Sequence, residues 1–202
     1  MGFDIDFAVV KNRNKEVAKS ILDEGYPPIF ADEAFVSFVG KPYDVLKQHI
    51  GKLEQNSMIN FWTFGRYAMD DILKWVVAQI GPCDGTCCTW AITTQAVETI
   101  LRLSKDGLLR SFRIWIDPRV KVRNPQLLQM LQLNFPVVIA PVHAKVTVLS
   151  NDDWKVSVSG SMNFTSNPQP ERGIISTIPS VFDNDFSILN NEFSDGVERR
   201  KY

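Results

Sequence analysis

From Met58 onward the chain alternates short apolar runs with longer amphipathic segments, and this alternation restricts the fold more than any other feature. Continuous apolar runs predict strands, whereas apolar residues that recur every three or four positions predict helices. Gly81-Pro82 ends the first helical segment, and Asn124-Pro125 begins the third by the cap-then-proline pattern. The predicted strands cover 58–64, 87–93, 111–116 and 135–140, and the predicted helices cover 67–80, 94–104 and 124–133.

Strands that alternate with helices are typical of βαβ units, so an α/β fold around a largely parallel sheet is expected. The last third of the chain departs from this alternation. Residues 143–150 and 154–159 alternate apolar and polar side chains on either side of Asn151-Asp152-Asp153, which predicts a hairpin. A further strand is predicted at 173–178 and a short closing helix at 181–189. The sequence contains no internal repeat.

Residues 1–57 differ in character from the rest and are interpreted as an N-terminal extension that packs on a main domain of residues 58–202. A chain of 202 residues suffices for one domain with an appendage, and 45% apolar with 22% charged residues is ordinary globular usage. The formal net charge is -1, which excludes a basic field over the whole molecule. Binding to nucleic acid would therefore require a local cationic patch.

No run of residues approaches the ~20 apolar positions that span a bilayer, and the acidic N-terminus does not resemble a secretory signal. We therefore expect no membrane partner and a cytoplasmic location. Cys83, Cys87 and Cys88 are an odd number of cysteines in one short segment, which favours free thiols over a disulfide framework. A zinc site at these thiols is the alternative, although neither His49 nor His143 lies near them in sequence.

One of the two histidines stands in a setting that suits phosphate chemistry. His143-Ala144-Lys145 spaces an imidazole and an ammonium two residues apart, which places both on one face of an extended strand. A cation beside a histidine favours the binding of an anionic tetrahedral group such as phosphate. After the hairpin, Gly160-Ser161-Met162-Asn163 supplies a small residue for close approach of backbone to ligand, and two neutral donors. Glu171 follows as a carboxylate that can hydrogen bond the second imidazole nitrogen.

These residues resemble the HKD motif of the phospholipase D superfamily. That motif is His-x-Lys, four residues, Asp, six residues and Gly-Ser-x-Asn, with a Glu further on. The two ends of the motif match here, whereas its middle departs from the pattern. Ser150 occupies the position of the family's Asp counted forward from Lys145, and Asp153 has the expected six-residue gap counted back from Gly160. A hairpin lengthened by three residues, with Asp153 or nothing replacing the Asp, accounts for both counts.

The resemblance covers about residues 58–180 and implies a phospholipase D-like fold. This fold is a mixed, largely parallel sheet flanked by helices on both faces, here with an N-terminal extension. The resemblance implies that His143 attacks phosphorus and forms a phosphohistidine. It also implies that Lys145 and Asn163 hold the phosphoryl oxygens, that Ser161 assists by hydrogen bonding and that Glu171 fixes the histidine tautomer. No metal or cofactor is expected.

The family chemistry also needs a second histidine that protonates the leaving oxygen and then activates water. The chain carries a single motif, because Gly51 rather than Lys stands two residues after His49. The resemblance therefore implies a homodimer in which His143 of one copy faces His143 of the other across a two-fold axis. Single-motif members of the family resemble nucleases, so the implied activity is metal-independent cleavage of nucleic acid, either DNA or RNA.

A cluster of cations within 105–123 agrees with a nucleic-acid substrate. Arg119, Lys121 and Arg123 alternate and point to one side if the segment is extended, which suits tracking along a phosphate backbone. Solvated charges on an outer face are the alternative. Trp90 is interpreted as a core residue rather than a base-stacking platform. The candidate nucleic-acid-binding residues are Arg66, Arg110, Arg113, Arg119, Lys121 and Arg123.

Two other functions are consistent with these residues. The altered Asp position is compatible with a catalytically inactive phospholipase D-like protein that binds nucleic acid or serves as a scaffold. Phospholipid head-group hydrolysis or transfer is the third hypothesis, and the lack of a membrane-binding stretch argues against it.

Overall fold

A computed structural model of the chain describes residues 35–39, 46, 52–63, 65 and 67–194. The strands are β1 (Phe35–Val39), β2 (Met58–Trp62), β3 (Cys83–Thr89), β4 (Leu109–Ile116), β5 (Val137–Ile139), β6 (Val146–Ser150), β7 (Lys155–Gly160) and β8 (Arg172–Ser176). The helices are α1 (Met69–Ile80), α2 (Thr94–Lys105), α3 (Val120–Arg123), α4 (Pro125–Asn134) and α5 (Pro179–Ser194).

The strands form one eight-stranded mixed sheet in the order β1-β2-β8-β7-β6-β3-β4-β5. The pairs β1–β2, β3–β4 and β4–β5 are parallel, and the remaining four pairs are antiparallel. Only β6 and β8 therefore run against the other strands. The α/β fold with a mixed sheet is confirmed, and six of its eight strands run in the same direction. Its carboxyl edge, defined by the carboxyl ends of β3, β4, β5 and β7, also carries the amino ends of β6 and β8.

Helices cover both faces of the sheet. Trp75 of α1, Ile100 of α2 and Leu131 of α4 belong to one buried cluster, which packs on the first face. Phe182 and Leu189 of α5 belong to a second, smaller cluster on the opposite face. Among the described residues, no helix is long and apolar enough to cross a membrane.

Adjacent strand residues supply the two clusters in turn, because consecutive side chains point to opposite faces. Cys87 and Leu149 pack in the first cluster, whereas Cys88 and Val148 pack beneath α5. All three cysteines are free and buried, and burial raises the pKa of Cys83 and of Cys88 to about 11. Within the described part of the chain, no three His, Cys, Asp or Glu side chains form a group that could hold a metal ion.

Local signals in the sequence set the helix starts. The Thr93 hydroxyl accepts a hydrogen bond from the Ala96 amide at 3.2 Å, which caps α2. The Asn124 side chain accepts from the Leu127 amide at 3.1 Å, with Pro125 in the first turn, so the predicted start of α4 is confirmed.

Segments of the N-terminal extension contribute to the same fold. β1 pairs in parallel with β2 and forms one end of the sheet. Leu46 and Leu53 are buried in the first hydrophobic cluster. The sheet and its core therefore include residues on both sides of position 57.

The hairpin of β6 and β7 is confirmed, but β6 begins at Val146 rather than at His143. Its neighbour β3 ends at Thr89, and the last residue of β3 with a partner in β6 is Cys88, which pairs with Val146. Beyond this pair, β6 has no further partner in β3. His143 therefore lies in the segment that leads into the strand.

Gly160 and Gly173 pair directly where β7 meets β8. A Cβ atom on Gly160 would clash with the Arg172 carbonyl oxygen and lie 2.8 Å from the Gly173 Cα atom. The close approach of β8 therefore requires the glycine of the Gly-Ser-x-Asn motif. From the sequence, this glycine is expected to allow a ligand, rather than a strand, to approach the backbone. This packing holds the residues that follow β7 against the start of β8.

We expect Gly160→Ala to destabilise the protein by about 1–3 kcal/mol, because backbone atoms of β8 must move to admit the methyl group. Urea denaturation measures the change. Ser159→Ala, one residue earlier in β7, is the matched control and should leave the transition nearly unchanged. Equal midpoints for the two variants would contradict this account of Gly160.

Candidate active site

Five residues of the motif come together at the carboxyl edge because β6 and β8 run in the direction opposite to β7, so that their amino ends lie beside its carboxyl end. His143 and Lys145 precede β6, Ser161 and Asn163 follow β7, and Glu171 precedes β8. The strand order places β6, β7 and β8 side by side. Three chain segments that are separated in sequence thus meet at one end of the sheet.

Lys145 and Glu171 are a buried pair of opposite charge. Their exposed fractions are 7% and 8%. Burial lowers the pKa of Lys145, and the neighbouring Glu171 opposes this effect. Burial raises the pKa of Glu171, and hydrogen bonding to Asn167 and the charge of Lys145 oppose this effect. Each charge partly offsets the desolvation of the other.

His143 is exposed, and its backbone is held by Lys145. The ammonium of Lys145 donates a hydrogen bond to the His143 carbonyl oxygen. In the part of the chain that the structure describes, no hydrogen bond joins the Glu171 carboxylate to the imidazole. Glu171 therefore interacts electrostatically with Lys145 and hydrogen bonds with Asn167, whereas the resemblance implied a contact with the histidine ring.

The backbone of β8 and the end of β3 hold the Gly-Ser-x-Asn segment in position. The Ser161 hydroxyl accepts from the Arg172 amide at 3.1 Å, and the Ser161 amide donates to the Arg172 carbonyl oxygen at 3.0 Å. The Thr89 hydroxyl lies 3.3 Å from the Asn163 amide oxygen, within hydrogen-bonding distance. Sequence reasoning missed Thr89, because the predicted strand over 87–93 placed this residue within a strand, whereas β3 ends at Thr89.

Trp90 stands beside His143, and the guanidinium groups of two arginines lie over its ring. The rings of Trp90 and His143 meet edge to face, with centroids 6.1 Å apart and an interplanar angle of 65°. Arg119 and Arg123 lie over the indole, with their guanidinium carbons 4.8 Å and 5.2 Å from its centroid. Trp90 is half-buried and borders the site, whereas its sequence position suggested the core.

The segment with alternating cations is helical, so the reason for expecting these residues on one side was wrong. Residues 120–123 form α3, and Arg119 has right-handed helical dihedral angles. Residues four apart share one side of a helix, and this brings Arg119 and Arg123 to Trp90. Lys121, two positions from each arginine, projects from the opposite side.

The other candidate cations lie elsewhere. Arg110 pairs with Asp84 at 2.8 Å, at the opposite edge of the sheet. Arg113 donates to Thr86 at 3.1 Å and to Asn190 at 3.0 Å, and its guanidinium lies over the rings of Phe186 and Phe193. Arg113 thus anchors α5 to the sheet. Arg66 lies outside the described residues.

Asp153 lies in the turn between β6 and β7, at the opposite edge of the sheet from His143. Asn151 organises this turn and accepts from the amides of Asp153 at 3.0 Å and Trp154 at 2.8 Å. It also donates to the Ile80 carbonyl oxygen at 2.8 Å. Asp153 is exposed and outside the candidate site, and Asn151 is the polar residue that the turn requires.

The sheet order and the convergence of the motif segments define a phospholipase D-like fold. NucT from Helicobacter pylori matches with a TM-score of 0.50 and 14% sequence identity over 68% of this chain and 96% of that chain. A polyphosphate kinase from Porphyromonas gingivalis matches with a TM-score of 0.56 and 9% identity over 81% of this chain. This chain corresponds to 31% of the length of the polyphosphate kinase.

By sequence, no family model and no curated protein matches the chain. The likeness to NucT and to the polyphosphate kinase is therefore a likeness of fold. The resemblance to the phospholipase D superfamily is confirmed at this level.

The buried pair predicts a pH-dependent stability. Because the pKa of Glu171 is raised in the folded protein, this carboxyl contributes stability that is fully present below its unfolded pKa and is lost as the pH rises through its folded pKa. The charge of Lys145 lowers the pKa of Glu171, so Lys145→Met raises it further. Measured from about pH 4 upward, the free energy of unfolding of Lys145→Met should therefore fall relative to that of the unaltered protein once the pH passes the folded pKa of Glu171 in the unaltered protein.

Urea denaturation across this pH range tests the coupling. The double variant Lys145→Met with Glu171→Gln should lose the additional pH dependence, because the titrating group is absent. A Lys145→Met variant whose stability follows the pH profile of the unaltered protein would show that the two side chains do not interact.

Proposed function

We propose that this protein is a phosphodiesterase that cleaves nucleic acid through a phosphohistidine formed on His143. The observation that carries the proposal is the convergence of an exposed His143 with the buried Lys145 and Glu171 and the half-buried Asn163 at the carboxyl edge of a phospholipase D-like sheet. An accessible imidazole beside a desolvated cation suits attack on a phosphodiester, because the cation binds the same group that the imidazole attacks.

The reaction proceeds in two displacements. An imidazole nitrogen of His143 forms a bond to phosphorus as the bond from phosphorus to the leaving oxygen breaks, and the imidazolium of a second histidine protonates that oxygen. That second histidine, now neutral, removes a proton from water. The resulting hydroxide attacks phosphorus, and the bond from phosphorus to His143 breaks. The products are an alcohol and a phosphate monoester, and both histidines return to their initial states.

Lys145 and Asn163 bind the non-bridging oxygens of the phosphoryl group. The Lys145 ammonium uses one N–H on the His143 carbonyl oxygen, so its other N–H groups can stabilise charge that develops in the transition state. The charge of Glu171 opposes the lowering of the Lys145 pKa by burial, which favours the ammonium form. This role replaces tautomer control of His143 and agrees with the contacts of Glu171. Ser161 fixes the segment through Arg172.

The second histidine is His143 of another copy of the chain, in a homodimer with one composite site. The sequence has one motif and two histidines in all, and His49 lacks a Lys two residues later. Nucleic acid is favoured as the substrate because Arg119 and Arg123 are exposed at the rim of the site. Cations in that position bind the phosphates of a polynucleotide.

His143→Ala should reduce cleavage of labelled DNA or RNA oligonucleotides, assayed in EDTA, on the order of a thousandfold or more, because the nucleophile is lost. His49→Ala is the matched control and should retain activity. A folded protein that binds oligonucleotides without cleaving any of them would support a catalytically inactive binding protein instead. Cleavage of phosphatidyl substrates but no nucleic acid would favour a phospholipid hydrolase.

A mixing experiment tests the composite site. When unaltered protein exchanges subunits with excess His143→Ala, most unaltered chains enter mixed dimers that hold one nucleophile and no acid. Activity should then fall more steeply than the fraction of unaltered chains. Activity that remains proportional to this fraction would indicate that each chain works alone.

A further inference from the structure

Trp90 occupies a position between the candidate nucleophile and two exposed cations. It follows Thr89, the last residue of β3, and therefore stands at the carboxyl edge. Its ring meets the His143 imidazole edge to face. Arg119 and Arg123 lie over the same ring. One side chain thus contacts three groups that the proposed function requires.

The two guanidinium groups are placed by the backbone of α3. Asp117 fixes the start of this turn, since its carboxylate accepts from the Arg119 amide at 3.0 Å and pairs with the Arg119 side chain at 3.3 Å. The Asp117 amide donates to the Thr89 carbonyl oxygen at 3.3 Å, which ties α3 to the end of β3. The arginines are therefore oriented by the same strand end that carries Trp90.

Stacking leaves the arginines able to bind an anion. A guanidinium that lies on an aromatic ring keeps its N–H donors in its own plane, where an oxygen can accept them. Both arginines are exposed, so a phosphate can reach them from solvent. Attraction between each cation and the ring adds about 0.5–1 kcal/mol at an exposed position and limits the movement of the side chain.

The polar atom of Trp90 plays no part in this arrangement. Its indole N–H is buried and has no hydrogen-bond partner among the described residues. Trp90 therefore interacts with His143 and the two arginines through the faces and edges of its ring. A phenylalanine ring can supply the same kind of contact, whereas an alanine supplies none.

We propose that Trp90 is a positioning residue that holds the His143 imidazole and the guanidinium groups of Arg119 and Arg123 together, so that the arginines bind the phosphate next to the one that His143 attacks. This inference rests on the proposed function and specifies its substrate. The favoured substrate is a polynucleotide with at least two neighbouring phosphates. A small diester with one phosphorus engages His143 but not the arginine pair.

The test compares an oligonucleotide with bis(p-nitrophenyl) phosphate, which contains a single phosphodiester. The variant with both Arg119→Gln and Arg123→Gln should raise KM for the oligonucleotide about tenfold or more and reduce the slope of log affinity against log salt by about 2. Its constants for the small diester should be unchanged. Lys121→Gln removes a charge from the other side of α3 and is the matched control, with no change on either substrate.

Trp90→Ala should lower kcat on both substrates by about 10–100-fold, because the imidazole is no longer held in position. Trp90→Phe should restore most of the activity. The proton resonances of the His143 ring provide a reading that is independent of catalysis, because the chain has two histidines and His143→Ala assigns them. Loss of the indole ring current should shift these resonances in Trp90→Ala.

Three results would overturn the inference. These are unchanged His143 resonances in a folded Trp90→Ala variant, an arginine double variant that behaves like Lys121→Gln, and equal effects of the double variant on both substrates. If the unaltered protein cleaves nothing, the proposed function fails. The resonances and the salt dependence of oligonucleotide binding would still confirm or refute the Trp90 arrangement.

Discussion

The candidate site depends on the burial of Lys145 beside Glu171. Two charges removed from water destabilise a protein unless the attraction between them compensates for the hydration that each has lost. Here the two residues precede different strands, β6 and β8, which run against the rest of the sheet. Their attraction therefore links the segment that carries His143 to the segment that follows Asn163.

The mixed sheet provides the geometry for this pair. In an all-parallel sheet, only the carboxyl ends of strands meet at one edge. Insertion of β6 and β8 in the opposite direction brings two amino ends to the same edge, so the residues before and after a strand can converge. Gly160 and Gly173 permit the close approach of β7 and β8 on which this convergence relies. The motif glycine is thus part of the packing that supports the site.

Arginines from the same cationic segment, residues 105–123, have different roles in this protein. Arg113 is partly buried, hydrogen bonds Thr86 and Asn190 and lies over aromatic rings of α5, so it stabilises one face of the sheet. Arg119 and Arg123 stack on Trp90 but remain exposed at the carboxyl edge. Arg113 lies within β4 and contacts α5, whereas Arg119 and Arg123 follow β4 and belong to the turn of α3, so their position rather than their charge distinguishes them.

The sequence by itself determined the α/β class and the order of strands and helices from β2 onward except for α3, because apolar periodicity and the turn residues are local properties. It also selected His143, Lys145, Ser161, Asn163 and Glu171 as candidate site residues, because the motif is a spacing along the linear chain. It did not identify Thr89, Trp90 or the turn role of Asn151, whose partners are distant in sequence. Nor did it reveal that the segment after Arg119 is helical or that Asp153 lies at the far edge. Only the tertiary structure decided those points, because strand direction and register set which side chains meet, and these depend on contacts between segments that no local pattern records.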